Sequence, residues 1–155
     1  MTRQGDANGA YGGAVDQRLP LGGYAAVSLL VEVSAGELFD KITVLEVKAR
    51  RISDPAKLKN VVTELRSLEE ARDRAIAPST ALSSLVDELR AVNSELFQVI
   101  EGIYSCEAAG DLGPRFVSLA RAVYRLNDRR ALLKREINLM LNSRLVEEKA
   151  HPLLK

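Results

Sequence analysis

The sequence predicts an all-α protein, a mostly antiparallel four-helix bundle in which the third and fourth helices form a long hairpin. Three observations carry that expectation. Glycine and proline, which cost a helix interior roughly 1 and 3 kcal/mol, are nearly absent from residues 37–54, 56–77, 79–101 and 115–151. Within those stretches apolar residues recur three and four apart, the period of one helix face. Charge is sorted by stretch: Leu82 to Glu107 carries Asp87, Glu88, Glu95, Glu101 and Glu107 against Arg90 alone. Pro114 to Leu141 carries Arg115, Arg121, Arg125, Arg129, Arg130, Lys134 and Arg135 against Asp128 and Glu136.

Residues 1–23 hold Gly5, Gly9, Gly12, Gly13, Gly22 and Gly23 with few large apolar groups and read as a flexible tail. Tyr24 to Val33 is rich in aliphatic and β-branched residues, a short strand or an extended segment. A lone strand needs a partner, here a second copy of itself. The first helix starts at Ser34 and Glu37, spaced as a capping box, with Val33 and Leu38 placed as its hydrophobic staple. Its stripe is Leu38, Ile42, Leu45, Ala49 and Ile52. Asp54 and Pro55 open the second helix as N-cap and first-turn proline, and Leu58, Val61, Val62, Leu65 and Leu68 carry it toward Pro78.

In the third helix Leu82, Leu85, Leu89, Val92, Leu96, Val99, Ile103 and Cys106 keep a seam over more than three heptads, closed by Gly110 and by Gly113-Pro114. The fourth continues the pattern through Leu119, Val123, Leu126, Leu133, Ile137 and Met140, with Arg130 interrupting the stripe. Residues 24–150 are therefore expected to form a single helical domain, followed by a short tail over 151–155.

A chain of 155 residues with 46% hydrophobic and 28% charged residues and a net charge of +1 fits one domain and offers no global field for a polyanion. Seven aromatics and no tryptophan leave little base-stacking surface, which disfavours nucleic acid. A lone cysteine, Cys106, and a lone histidine, His151, exclude an intrachain disulfide and a Cys/His zinc site. No apolar run approaches the ~20 residues of a membrane span. The polar start Met1-Thr2-Arg3-Gln4 lacks a secretory region, and the cytoplasm is the expected compartment. Phosphate-loop, dinucleotide, zinc-protease and nucleophile-elbow motifs are absent, and no cofactor is called for.

Arg130, Lys134 and Asn127 share one helix face at spacings of three and four. A guanidinium on an apolar stripe needs an acceptor. Asp40, Glu46, Asp87, Glu95 and Glu101 are candidate intrachain partners. An anionic ligand is the alternative, because arginine grips carboxylate or phosphate with a planar fork. In that reading Arg130, Lys134, Asn127 and Arg121 bind the anion, Asp40 or Glu46 orients it, and Tyr124 joins the site.

The stretch from Gly36-Glu37-Leu38-Phe39-Asp40-Lys41-Ile42-Thr43 to Lys48, and that from Leu119 to Asn138 with Tyr124, Asn127-Asp128-Arg129-Arg130-Ala131 and Lys134-Arg135, resemble a family of short bacterial proteins, domain of unknown function 6165. Weaker matches are Asp54 to Leu58, Val92-Asn93, Cys106-Glu107 and Ser143 to Lys149, so the resemblance spans about residues 31–150. It implies a helical bacterial protein of the cytoplasm, in a family with some link to polysaccharide or glycosyltransferase functions, and it carries no assigned activity.

Two functions are weighed. One is a non-enzymatic interaction or adaptor module, a homo-oligomer using leftover seam surface and residues 24–33. The other is a small enzyme or binding protein holding an anionic metabolite (carboxylate, phosphate or sugar phosphate) between helices, by analogy with chorismate-mutase-type bundles. The first is favoured.

Overall fold

The computed structural model describes residues 29–148. The expected tails over 1–23 and 151–155, residues 24–28 of the strand candidate and His151 lie outside the described residues. Residues 29–34 carry no strand or helix. Four helices follow, α1 (Ala35–Arg51), α2 (Pro55–Ala75), α3 (Thr80–Ala109) and α4 (Pro114–Met140), and they belong to one compact unit. The all-α bundle and its long hairpin stand as expected. At 1.5 Å per residue α3 and α4 are about 45 and 40 Å long.

Local chemistry sets each boundary. The Asp54 carboxylate accepts from Lys57 N at 2.9 Å, and Pro55 occupies the first turn of α2. Ser79 Oγ accepts from Leu82 N to start α3. At the other end of α3, Gly110 adopts φ +66°, the left-handed conformation that favours glycine, and Asp111 N donates back to Cys106 O at 2.9 Å. Asp111 Oδ1 accepts from Gly113 N, and Pro114 begins α4.

The core is shared by α1, α3 and α4. Phe39, Leu82, Val86, Leu89, Leu133 and Ile137 form its centre. Along α3 the fully buried residues are Leu82, Val86, Leu89, Asn93, Leu96, Val99 and Cys106. Leu85 and Val92, placed on the seam by the sequence pattern, lie at its flank. α3 packs on two helices, so its buried face is wider than a two-helix seam and takes in Val86 and Asn93 on the α1 side. Met140, at the other end of the α4 stripe, is exposed, while Leu141 beside it packs against the core.

α1 runs antiparallel to α4, with Asp40 opposite Arg130 and Gly36 opposite Lys134. α2 packs on α1 alone and buries no residue fully. Its single row of apolar residues covers the outer side of α1 and has no second face to offer α3.

The amino end of α1 is completed by α4. Ser34 Oγ accepts from Glu37 N, Asn138 Oδ1 accepts from Gly36 N at 2.6 Å, and Ser143 Oγ accepts from Ala35 N at 3.2 Å. The three N–H groups of Ala35, Gly36 and Glu37, which have no acceptor within the helix, thus all have side-chain partners, and Leu38 N makes the first intrahelical bond, to Ser34 O. Glu37, expected to close a capping box on Ser34, reaches instead to Lys134.

Candidate functional site

The residues singled out by the sequence fall into two groups. In the first, α4 projects Arg130 onto α1, where its fork meets the Asp40 carboxylate: Nη2 to Oδ2 at 2.6 Å and Nε to Oδ1 at 3.2 Å. Nη1 donates to Asn127 Oδ1 at 3.0 Å. Asp40 also accepts from Asn93 Nδ2 of α3 at 3.0 Å, and Asn93 donates to Thr43 Oγ1 at 2.9 Å. Thr43 Oγ1 turns its own proton to the backbone oxygens of Phe39 and Asp40. A polar chain thus crosses the bundle from α4 through α1 to α3. Such a chain fixes helix register, because every member needs the others to remain satisfied.

One turn further along α4, Lys134 is 10% exposed and bonds Glu37 Oε2 at 3.0 Å and Glu147. Burial disfavours its charged form, yet the hydrogen bonds it donates to Glu147 and Glu37 outweigh that cost, and its ammonium is held above the ordinary value of 10.5. A raised lysine pKa contributes stability that is complete below the unfolded-state value and is lost as pH climbs through the folded one. Chemical denaturation between neutral and strongly alkaline pH should therefore show wild type losing stability above about pH 10.4, with a Lys134→Met variant showing a flatter profile. Equal slopes in both proteins would count against the Lys134 network.

The second group does not converge on the first. Glu46 faces α3 and pairs with Arg90, which Asp87 also engages. Tyr124 is 61% exposed, and Arg121 is exposed without an ion pair among the described residues. Of the α4 cations, Arg129, Arg130, Lys134 and Arg135 are neutralised by carboxylates of the chain itself, and Arg115, Arg121 and Arg125 form no ion pair among the described residues. Cys106 is a buried free thiol, and no group of acids, histidines or cysteines fit for a metal occurs among the described residues.

Sequence reasoning met Thr43, Asn93 and Asn138 only within the stretches that carry the family resemblance and gave none of them a role. Each is buried, and Asn93 Oδ1 and Asn138 Nδ2 have no hydrogen-bond partner among the described residues. Their signal was present: Asn93 stands four after Leu89 and three before Leu96, a core position occupied by an amide. The sequence also gave no warning of a cleft of about 500 Å³ between the end of α2, the linker to α3 and the first turns of α3, with Phe39 of α1 on its floor.

No family model, curated protein or solved structure matches the chain.

Proposed function

We propose that the chain is a non-enzymatic interaction module, a bacterial cytoplasmic protein akin to the helical family it resembles, that pairs with a second copy of itself through the free end of the α3–α4 hairpin. The observation that carries this reading is an apolar stripe left without cover. Asn93, Phe97, Ile100 and Tyr104 lie along one face of α3 at spacings of four, three and four. The first two face α1, Asn93 through Asp40 and Thr43, and Phe97 beneath the Arg51 guanidinium at 5.8 Å. α1 ends at Arg51, anchored to Glu101 at 2.7 Å, and the stripe runs on past it.

Ile100 and Tyr104 are exposed there, Tyr104 by 71%, as are Leu112 and Val117. The Arg129–Glu88 pair and the close approach of Leu119 to Gly102 set the hairpin register, which puts Tyr104 opposite Val117. On this face Glu107 of α3, one turn beyond Tyr104, and Arg121 of α4, one turn beyond Val117, form no ion pair among the described residues. In an antiparallel two-fold pair the acidic α3 of one copy faces the basic α4 of the other, so the patch is self-complementary in charge as well as apolar at its centre. The internal neutralisation of Arg130 and Lys134 supports the same reading, because those cations already have their acceptors.

Sedimentation velocity on the full chain tests it. Wild type is expected to dimerise with a dissociation constant of about 10 μM, and Tyr104→Glu to sediment as a monomer with unchanged far-ultraviolet circular dichroism. A strict monomer up to about 500 μM, or a Tyr104→Glu variant that dimerises like wild type, would overturn the proposal.

A further inference from the structure

The open wedge between α2 and α3 is a second feature with chemistry of its own. Its floor is apolar: Phe39, Leu82 and Val86 belong to the core cluster, and Ile76 packs against it. Its volume, about 500 Å³, is within the range of small-molecule sites. It exists because α2 leans on α1 only, and the linker through Pro78 carries the chain away from α2 before α3 begins.

Two arginines line the wall, and they differ in what they have left to give. Arg90 is held by Glu46 on one side and Asp87 on the other. Arg72 donates only its Nε, to Asp73 Oδ1 at 2.8 Å; Glu69 and Glu46 attract its charge without a hydrogen bond, and its two terminal amino groups have no hydrogen-bond partner among the described residues. The Arg72 side chain is 28% exposed and that of Asp73 is 67% exposed, so the guanidinium is set back in the cleft and the carboxylate stands out in water.

We infer that this cleft binds a small monocarboxylic acid with an aliphatic or aromatic body, its carboxylate on the free amino groups of Arg72 and its body on Phe39, Ile76, Leu82 and Val86. One free guanidinium edge matches one carboxylate, held in the paired geometry that makes such contacts strong. The apolar floor selects against sugar phosphates and dicarboxylates, whose polar bodies would be desolvated there without partners. The acids that line the cleft are each bound to an arginine, which leaves an ammonium ligand no free counter-charge.

Octanoate and 3-phenylpropanoate are the probes, with octan-1-ol and octylamine as controls, followed by amide chemical shifts of the full chain. Saturable binding is expected for the two acids with dissociation constants below about 1 mM, and with shifts grouped at Arg72, Ile76, Ser79 and Ser83. Arg72→Gln, at a partly exposed position on α2, should retain the fold and weaken octanoate by about tenfold or more. Absence of saturation up to about 10 mM would overturn the inference. So would equal binding of octan-1-ol and octanoate, shifts centred elsewhere, or an Arg72→Gln variant that binds as wild type.

Discussion

Gly36→Ala is expected to destabilise the protein by about 3 kcal/mol, roughly 10 °C in melting temperature. A Cβ at this position would stand 2.4 Å from the Lys134 carbonyl oxygen and 2.9 Å from its carbonyl carbon. Those are backbone atoms in the middle of a long helix, and no rotamer change can move them. α1 must then lift from α4, which breaks the bond from Gly36 N to Asn138 Oδ1 and leaves a buried amide without its acceptor role. The gain in helix propensity from alanine, about 1 kcal/mol at most, is too small to compensate. Gly102→Ala is the control. Its Cβ would meet Leu119 Cδ1 at 3.1 Å, the far end of a side chain that can turn, and a change within about 0.5 kcal/mol is expected. Urea denaturation of the three proteins measures both. A Gly36→Ala variant as stable as Gly102→Ala would show that the α1–α4 crossing is looser than described.

Arg130→Leu should be the most damaging single change in the polar chain, costing about 4 kcal/mol, and Asp40→Asn should cost about 2 kcal/mol. The asymmetry follows from depth. The Asp40 side chain is 6% exposed and that of Arg130 is 23% exposed. When Asp40 loses its charge the guanidinium can turn toward solvent, whereas a buried carboxylate deprived of Arg130 keeps only its bond from Asn93. Replacing both partners with apolar residues, Asp40→Leu with Arg130→Met, is expected to recover most of the loss, since it removes two desolvated charges together. Denaturation of the singles and the double closes a cycle, and a coupling below about 0.5 kcal/mol would mean that the pair does not hold the helices as described.

The architecture was legible because its determinants are local. Ser34, Asp54, Pro55, Gly110 and Pro114 sit at the helix ends they punctuate, and the three-and-four spacing needs no tertiary information. The candidate site was legible in part. That Arg130 needs an acceptor followed from its place on an apolar stripe, but choosing Asp40 over Glu46, which faces α3, depended on which side of α1 meets α4 and on how far α1 slides along it. Gly36, Asn138 and Ser143 fix that slide, and their meeting is a property of the fold. Glu37 shows the limit in one residue: its spacing from Ser34 satisfies a local pattern, and a lysine ninety-seven positions away captures it. The cleft was invisible for a different reason. It arises where α2 fails to reach α3, and a missing contact leaves no periodic mark in a sequence.

The shared cap at the amino end of α1 also bears on the order in which the chain assembles. The acceptors for Gly36 N and Ala35 N come 102 and 108 positions later. Bringing ends that far apart together costs about 4 kcal/mol of loop-closure entropy, against the few residues that separate α3 from α4. The hairpin is the local contact and the cap of α1 the long-range one, so contact order favours the hairpin as the earlier event, and the first turn of α1 gains its Asn138 and Ser143 acceptors only once those residues are in place. The carboxyl half of the chain is the template on which the amino half closes.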